Sequence, residues 1–260
     1  NLVDSEMLEH FLKAQPMTWQ KLQNHFPGHE TEMVVTEINK LLNRGDSLLT
    51  LFNKGFTIKG AKIRLMMPKP VLDGPETPNY QLYLNNRFSV VRQMKYSTTG
   101  DDKDNRLDLC ILLNGLPLMT FELKNEGTNQ NYGHGIYQYR FHRSPVNRML
   151  RNCLVHFVMD NSFVFMTTKL NGEQTRFLPF NQDSTNPPIE GEYPTAYMWR
   201  EILQADSLLD IIENFIKRYN DEDGKPVVIF PRFHQLRAVR KMRRMAAEEG
   251  PGHNYLIQHS

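Results

Sequence analysis

The stretch Arg106-Leu-Asp-Leu-Cys-Ile-Leu-Leu-Asn-Gly-Leu-Pro-Leu-Met-Thr-Phe-Glu-Leu-Lys124 reads as two apolar strands joined at Asn114-Gly115, the strongest short-range hairpin signal. Buried strands rarely carry charge, yet these carry Asp108, Glu122 and Lys124. Two carboxylates and an ammonium near the ends of a buried hairpin are costly unless they are paired or bind something. Alternation along a strand puts Glu122 and Lys124 on one face. Whether Asp108 joins them depends on register. A strict two-residue turn pairs Asp108 with Phe121 and turns it away. A three-residue loop, Leu113–Gly115, pairs it with Thr120 and makes Glu122 its diagonal neighbour. A shared site therefore requires an odd loop or a bulge.

The chemistry such a site suits is phosphodiester hydrolysis. Asp108, Glu122 and the Leu123 carbonyl are hard oxygen ligands for Mg²⁺, which polarises a phosphate and acidifies a bound water. Lys124 would stabilise the developing negative charge. The D…ExK spacing is short and degenerate, and an internal salt bridge among the three residues fits it as well. The apolar setting of both strands favours the site.

The rest of the chain sets bounds. At 260 residues it holds one large domain or one and a half. The net charge of +2 is too small to argue for nucleic acid by itself. Cys110 and Cys153 lie in apolar runs and read as free buried thiols, which points to a reducing, cytoplasmic setting. No stretch approaches the ~20 apolar residues of a membrane helix. The first residue is not Met and the sequence stops within the run Tyr255-Leu-Ile-Gln-His-Ser260, so a piece of a longer protein is expected.

Residues 1–47 read as helices, with Leu48–Phe52 and Phe56–Ile58 as a small hairpin. Residues 66–79 are a proline-rich loop. Arg87–Tyr96 alternates as a strand, and a helix over about Thr128–His142 follows the central hairpin. Leu154–Met159, Phe163–Thr168 and Thr175–Phe180 are further strands. Beyond the loop Asn181–Pro194, helices are expected over Met198–Leu203, Ser207–Tyr219 and Phe233–Glu249. Asn220–Pro226 reads as a polar link and Asn254–Gln258 as the start of a buried strand. This order predicts an α/β fold: a mixed central sheet flanked by helices.

At this level a family resemblance enters. Asn86-Arg-Phe-Ser-Val-Val-Arg-Gln93, Leu107-Asp-Leu109 with Leu113-Asn-Gly-Leu-Pro117, and Phe121-Glu-Leu-Lys-Asn125 resemble the nuclease domain of the motor/endonuclease subunit (HsdR) of type I restriction enzymes. Gln138-Tyr-Arg140, Cys153-Leu-Val-His-Phe157, Met166-Thr-Thr168, Thr175-Arg-Phe-Leu-Pro-Phe180, Thr195-Ala-Tyr197 and Asp206-Ser-Leu-Leu-Asp210 continue it, over about residues 80–260. The resemblance implies a PD-(D/E)xK restriction-endonuclease-like fold, with Asp108, Glu122 and Lys124 as the acidic pair and lysine. Leu107 stands where the family motif has Pro. It also implies a role near the active site for Gln138 and for a tyrosine on the same helix. His142, not Tyr, lies four residues after Gln138, and Tyr139 is adjacent to it. With Arg140, these are the candidate DNA contacts.

Phe230-Pro-Arg-Phe-His-Gln235 and Tyr255-Leu-Ile-Gln-His-Ser260 resemble the Q-motif region that precedes the phosphate loop of superfamily 2 helicases. That implies ATP as a cofactor of the full protein, with Gln235 on adenine and Arg232 nearby, and a RecA-like motor truncated before its Walker A loop. The six basic residues between Arg232 and Arg244 are equally a nucleic-acid face or a solvated helix surface. The implied organisation is an N-terminal helical region (1–79), a nuclease core (80–185), a helical linker (186–225) and the start of the motor (226–260). The implied function is Mg²⁺-dependent, ATP-coupled cleavage of double-stranded DNA in complex with modification and specificity subunits, without a membrane. The rivals are a non-catalytic DNA-binding or docking module and a stand-alone Mg²⁺ nuclease.

Overall fold

The computed structural model describes residues 3–97, 105–250 and 252–258. Four helices open the chain: α1 (Ser5–Lys13), α2 (Pro16–His25), α3 (Glu30–Asn43) and α4 (Leu48–Lys54). Asp4 caps α1 by accepting from the Met7 amide, and Ser47 caps α4 by accepting from the Thr50 amide. α4 replaces the expected strand over Leu48–Phe52. The serine cap and the buried quartet Leu48, Leu49, Leu51 and Phe52 at helical spacing decide the matter. The small hairpin instead pairs β1 (Phe56–Ile58) with β2 (Ala61–Ile63). α5 (Pro78–Leu84), capped by Thr77 with Pro78 at its first position, follows the proline-rich loop; the prolines had masked it.

The central sheet holds six strands in chain order: β3 (Phe88–Lys95), β4 (Arg106–Leu113), β5 (Leu116–Leu123), β6 (Val155–Met159), β7 (Val164–Thr167) and β8 (Leu178–Pro179). Every neighbouring pair is antiparallel except β5 and β6. That parallel pair needs a crossover, and α6 (Tyr132–Phe141) with α7 (Arg148–Asn152) supplies it. The fold is thus a mixed α/β sheet flanked by helices, as the order of elements predicts.

The two faces of this sheet differ. Ile111, Leu113, Met119, Phe121, Val155 and Phe157 face a large core continuous with residues of α1, α3 and α4 and with Phe230, Phe233 and Leu236 near the C-terminal end. Cys110, Leu112 and Val158 face a smaller core closed by Tyr139, Met149, Leu150 and Cys153. The N-terminal helices therefore cover the face opposite the one that carries Asp108 and Glu122. Both cysteines are buried free thiols.

After the sheet come short helical turns, α8 (Ala205–Asp210) running on through Phe215, and a hairpin of β9 (Lys217–Asn220) with β10 (Pro226–Ile229). The expected long helix Ser207–Tyr219 is thus cut short, and the polar link 220–226 is the turn of a hairpin closed by the Asp221 carboxylate on the Lys225 amide. α9 (Phe233–Glu249) has the expected span. Asn254–Gln258 form no strand, and Leu256 is 94% exposed. Among the described residues no helix is long and apolar enough to cross a membrane.

Candidate active site

The central hairpin turns on two residues. Leu113 pairs with Leu116, and Asn114 and Gly115 both lie at positive φ, 50° and 83°, the signature of a tight hairpin turn. The expected three-residue loop is absent. A bulge is present instead: Ile111 faces Met119 while Leu112 faces Pro117, so Leu118 is the extra residue on β5. Pro117, lacking an N–H, sits beside this irregularity, where a strand tolerates it. The bulge shifts the register by one, and Leu109 then faces Phe121. Asp108 consequently comes opposite Glu122 itself, a direct rather than a diagonal neighbour. The turn is locked from outside. The buried Asn114 amide group accepts from the Arg87 N–H and donates to the Leu65 carbonyl, and the Gly115 carbonyl accepts from the Asp4 N–H at 2.8 Å. A Cβ on Gly115 would stand 2.3 Å from the Asp4 carbonyl oxygen, so only glycine fits there.

The charges are graded from surface to core. The Asp108 side chain is 26% exposed, Lys124 7% and Glu122 1%. The Lys124 Nζ lies between the two carboxylates, 3.6 Å from Asp108 Oδ2 and 3.8 Å from Glu122 Oε2. Those are ion-pair distances too long for hydrogen bonds. Asp108 Oδ2 accepts from the Leu123 N–H at 2.8 Å, and Oδ1 from the Gln93 amide at 3.0 Å. Glu122 Oε1 accepts from both Nε and Nη2 of Arg143, at 3.0 and 2.6 Å, while Oε2 is buried without a hydrogen bond. Burial lifts the Glu122 carboxyl; Arg143 opposes this, Asp108 adds to it, and the result is about 7.

Helix α6 roofs this row. Asn131 caps it, and the Asp160 carboxylate accepts from the Tyr132 amide at 2.8 Å while also holding the Ser162 and Phe163 amides. One buried aspartate thus ties the helix start to the β6–β7 turn. Gly135 lets the helix approach the sheet: a Cβ there would stand 2.6 Å from Val158 Cγ1 and 3.5 Å from Glu122 Cβ. Glycine costs a helix about 1 kcal/mol relative to alanine, and here it is what brings the helix down onto the acidic row. At its far end Arg143 leaves the helix, grips Glu122 and donates to the Arg106 carbonyl at 2.7 Å.

The structure sorts the remaining candidates. Gln138 is half-buried, and its carbonyl oxygen is buried without a partner. Tyr139 is wholly buried, its hydroxyl 2.7 Å from Thr120 Oγ1, which in turn lies 2.7 Å from His156 Nδ1. That corrects its expected contact with DNA: the ring is core, and its hydroxyl serves an internal network. Burial holds His156 down at about 4, a neutral member of that network. Arg140 gives Nε and Nη2 to the Thr175 carbonyl, so its guanidinium braces a loop. Arg143 is the residue that sequence reasoning passed over as one arginine among several. Its only signal was its place just past the helix that follows the lysine. Tyr137, 54% exposed, packs on Phe141 and stands edge-on to His142.

Gln235 and Arg232 line adjoining grooves that meet at Ile229. Gln235, whose Oε1 accepts from the Arg232 N–H at 3.0 Å, lines a groove of about 540 Å³ with Phe215, Ile229 and Arg243. Arg232 lines another groove with Lys169, Arg176 and Tyr219. On α9, Arg240 and Arg243 pair with Asp210.

Among the described residues no group of three or more His, Cys, Asp or Glu side chains gathers to hold a metal. A cation here would rest on two carboxylates and backbone oxygen. The donor chemistry suits a hard divalent ion, and Glu122 Oε2 is a buried ligand atom that accepts no hydrogen bond and has only the Lys124 ammonium near it, at 3.8 Å.

Comparison with known proteins follows the same line. Residues 4–186 match the family described as type I restriction enzyme R protein N terminus. A Methanocaldococcus jannaschii protein provisionally named type I restriction enzyme MjaVIIIP endonuclease subunit is 24% identical over 250 residues, covering 93% of this chain. The chain spans only 22% of that relative's length. With the six-stranded mixed sheet and the opposed carboxylates, the family match assigns the chain: it belongs to the type I restriction enzyme R protein N-terminal family.

Proposed function

We propose that this domain is a Mg²⁺-dependent DNA nuclease whose acidic pair and lysine are Asp108, Glu122 and Lys124. The observation that carries the reading is the bulge at Leu118. It places two carboxylates face to face near the ends of the interior strands β4 and β5 with an ammonium between them, where a plain hairpin would have turned one away. Asp108, Glu122 and the Leu123 carbonyl would hold the ion. When bound, Mg²⁺ supplies a Lewis acid and an acidified water. The chain's own groups do the rest. Leu123 N–H and Gln93 fix the Asp108 carboxylate, Arg143 fixes Glu122, and Lys124 offers positive charge to the phosphate as negative charge builds. Gln138 would act beside the site. The exposed Tyr137, Phe141 and His142 at the end of α6 offer faces on which a nucleotide could stack.

The wider reading rests on the family. In the full protein, Gln235 would contact adenine, ATP hydrolysis would drive DNA translocation, and modification and specificity subunits would complete the complex. Gln235 and Arg232 would then act from adjoining grooves.

The rival is a non-catalytic docking module whose charges only bridge one another. The position of Lys124, near both carboxylates, is the observation in its favour. Cleavage of DNA by the full complex carrying Asp108→Ala separates them. The nuclease reading expects loss of cleavage by more than about a hundredfold with ATP hydrolysis intact. Undiminished cleavage would overturn it. Cleavage by the wild type without ATP would favour a stand-alone nuclease.

A further inference from the structure

Gln93 sits in the middle of edge strand β3 with φ +50°, a left-handed conformation that a non-glycine residue in a strand rarely adopts. Its neighbours keep register: Arg92 faces Leu109 and Met94 faces Leu107. Gln93 therefore stands opposite Asp108, and Gln93, Asp108 and Glu122 form one row across three strands. No residue is inserted, so the strain is not the by-product of a bulge in β3. What the unusual backbone accompanies is one contact: the Gln93 amide nitrogen donates to Asp108 Oδ1 at 3.0 Å. The other oxygen of Asp108 is already held by the Leu123 N–H. Strain of this kind persists where surrounding structure maintains it, and it gathers at functional sites.

We propose that Gln93 is a positioning residue, which sets the rotation of the Asp108 carboxylate and so presents it toward Glu122. Asp108 needs such help because it is the exposed member of the pair. Glu122 is clamped by a buried arginine, but a carboxylate 26% exposed and hydrogen-bonded only through Oδ2 to the Leu123 N–H could still turn about that bond. Two donors on two different oxygens fix its plane. The proposal rests on the nuclease reading for its purpose, but not for its geometry.

The test uses Gln93→Gly and Gln93→Asn in the full-length protein. Glycine relieves the left-handed backbone and removes the amide. Asparagine tolerates that backbone and keeps an amide, but it is one methylene too short to reach. Both should leave the melting temperature unchanged or raised. Both should weaken Mn²⁺ binding, measured calorimetrically, by about tenfold. In metal-free crystals of Gln93→Gly, Asp108 should leave its present rotamer. If Asp108 keeps its rotamer and Mn²⁺ affinity changes less than about twofold, the role is overturned and Gln93 is merely strained. The nuclease reading fails separately, through Asp108→Ala binding Mn²⁺ as the wild type does. The Asp108 rotamer in Gln93→Gly would still decide the part assigned to Gln93.

Discussion

The two faces of one sheet are built on different principles. On one, Phe121 stacks on Phe157 at 5.2 Å, and Phe157 meets Phe180 and Phe230 edge-on at 5.6 Å each. That face needs only apolar volume, and segments from both ends of the chain supply it. On the other, the same strands carry Thr120, Glu122 and His156 into the interior, each held by a specific partner. Burying polar groups is tolerable only when they are satisfied, so this face depends on a few exact bonds. The first face keeps the sheet folded. The second holds charge in place at a cost that folding alone would not favour.

The sharpest way to break this comparison is a cavity on the apolar face. Phe157→Ala should lower stability by about 3–5 kcal/mol in denaturant titrations, while metal affinity of the folded fraction stays at the wild-type value. Arg143→Met works the other face. It strands the Glu122 carboxylate and should cost about 3 kcal/mol near pH 8. The sign with pH follows from Glu122, whose folded pKa of about 7 is raised. Stability contributed by a raised carboxyl is present at low pH and lost as pH climbs through 7. Without Arg143 the carboxyl rises further and stays protonated longer, so the penalty should shrink toward pH 5. The double variant Arg143→Met with Glu122→Gln should recover most of it at pH 8. A penalty that does not vary with pH would mean the carboxyl is not what suffers.

A smaller effect tests the packing between the faces. Gly135→Ala gains helix propensity of about 1 kcal/mol but drives a methyl into Val158. Overpacking should win, with a net loss of about 1–2 kcal/mol in thermal melts. The mildest perturbation is pH itself. Only the ionised Glu122 binds a cation, so Mn²⁺ affinity should fall by about tenfold between pH 8 and pH 6, and the fall should vanish in Glu122→Gln.

The apolar face was largely legible. Alternation in β3, and short apolar runs bounded by turn residues in β4 to β7, announced the strands, and charged residues in an apolar hairpin announced Asp108, Glu122 and Lys124. What escaped was non-local. The need for a bulge followed from counting residues, but its place at Leu118 depends on how Pro117 and the Asn114 turn seat against the N-terminal helices. Tyr139 and Arg140 lie on a helix whose roof-like docking is set by Gly135 and Asp160, from which their burial or bracing follows. Gln93 carries no local signal and Arg143 only its place after the helix, because each acts through a carboxylate distant in sequence. The helix α4 was misjudged as a strand because four apolar residues within five positions fit either period, and the Ser47 cap decided it.

The central claim is that opposed carboxylates, aligned by one bulge, bind a divalent cation. Titrating Mn²⁺ into the full-length protein at pH 8 tests it directly, with the Asp108→Asn, Glu122→Gln double variant alongside. The account predicts binding in the wild type and a loss of about a hundredfold or more in the variant. Equal affinity in both would contradict it.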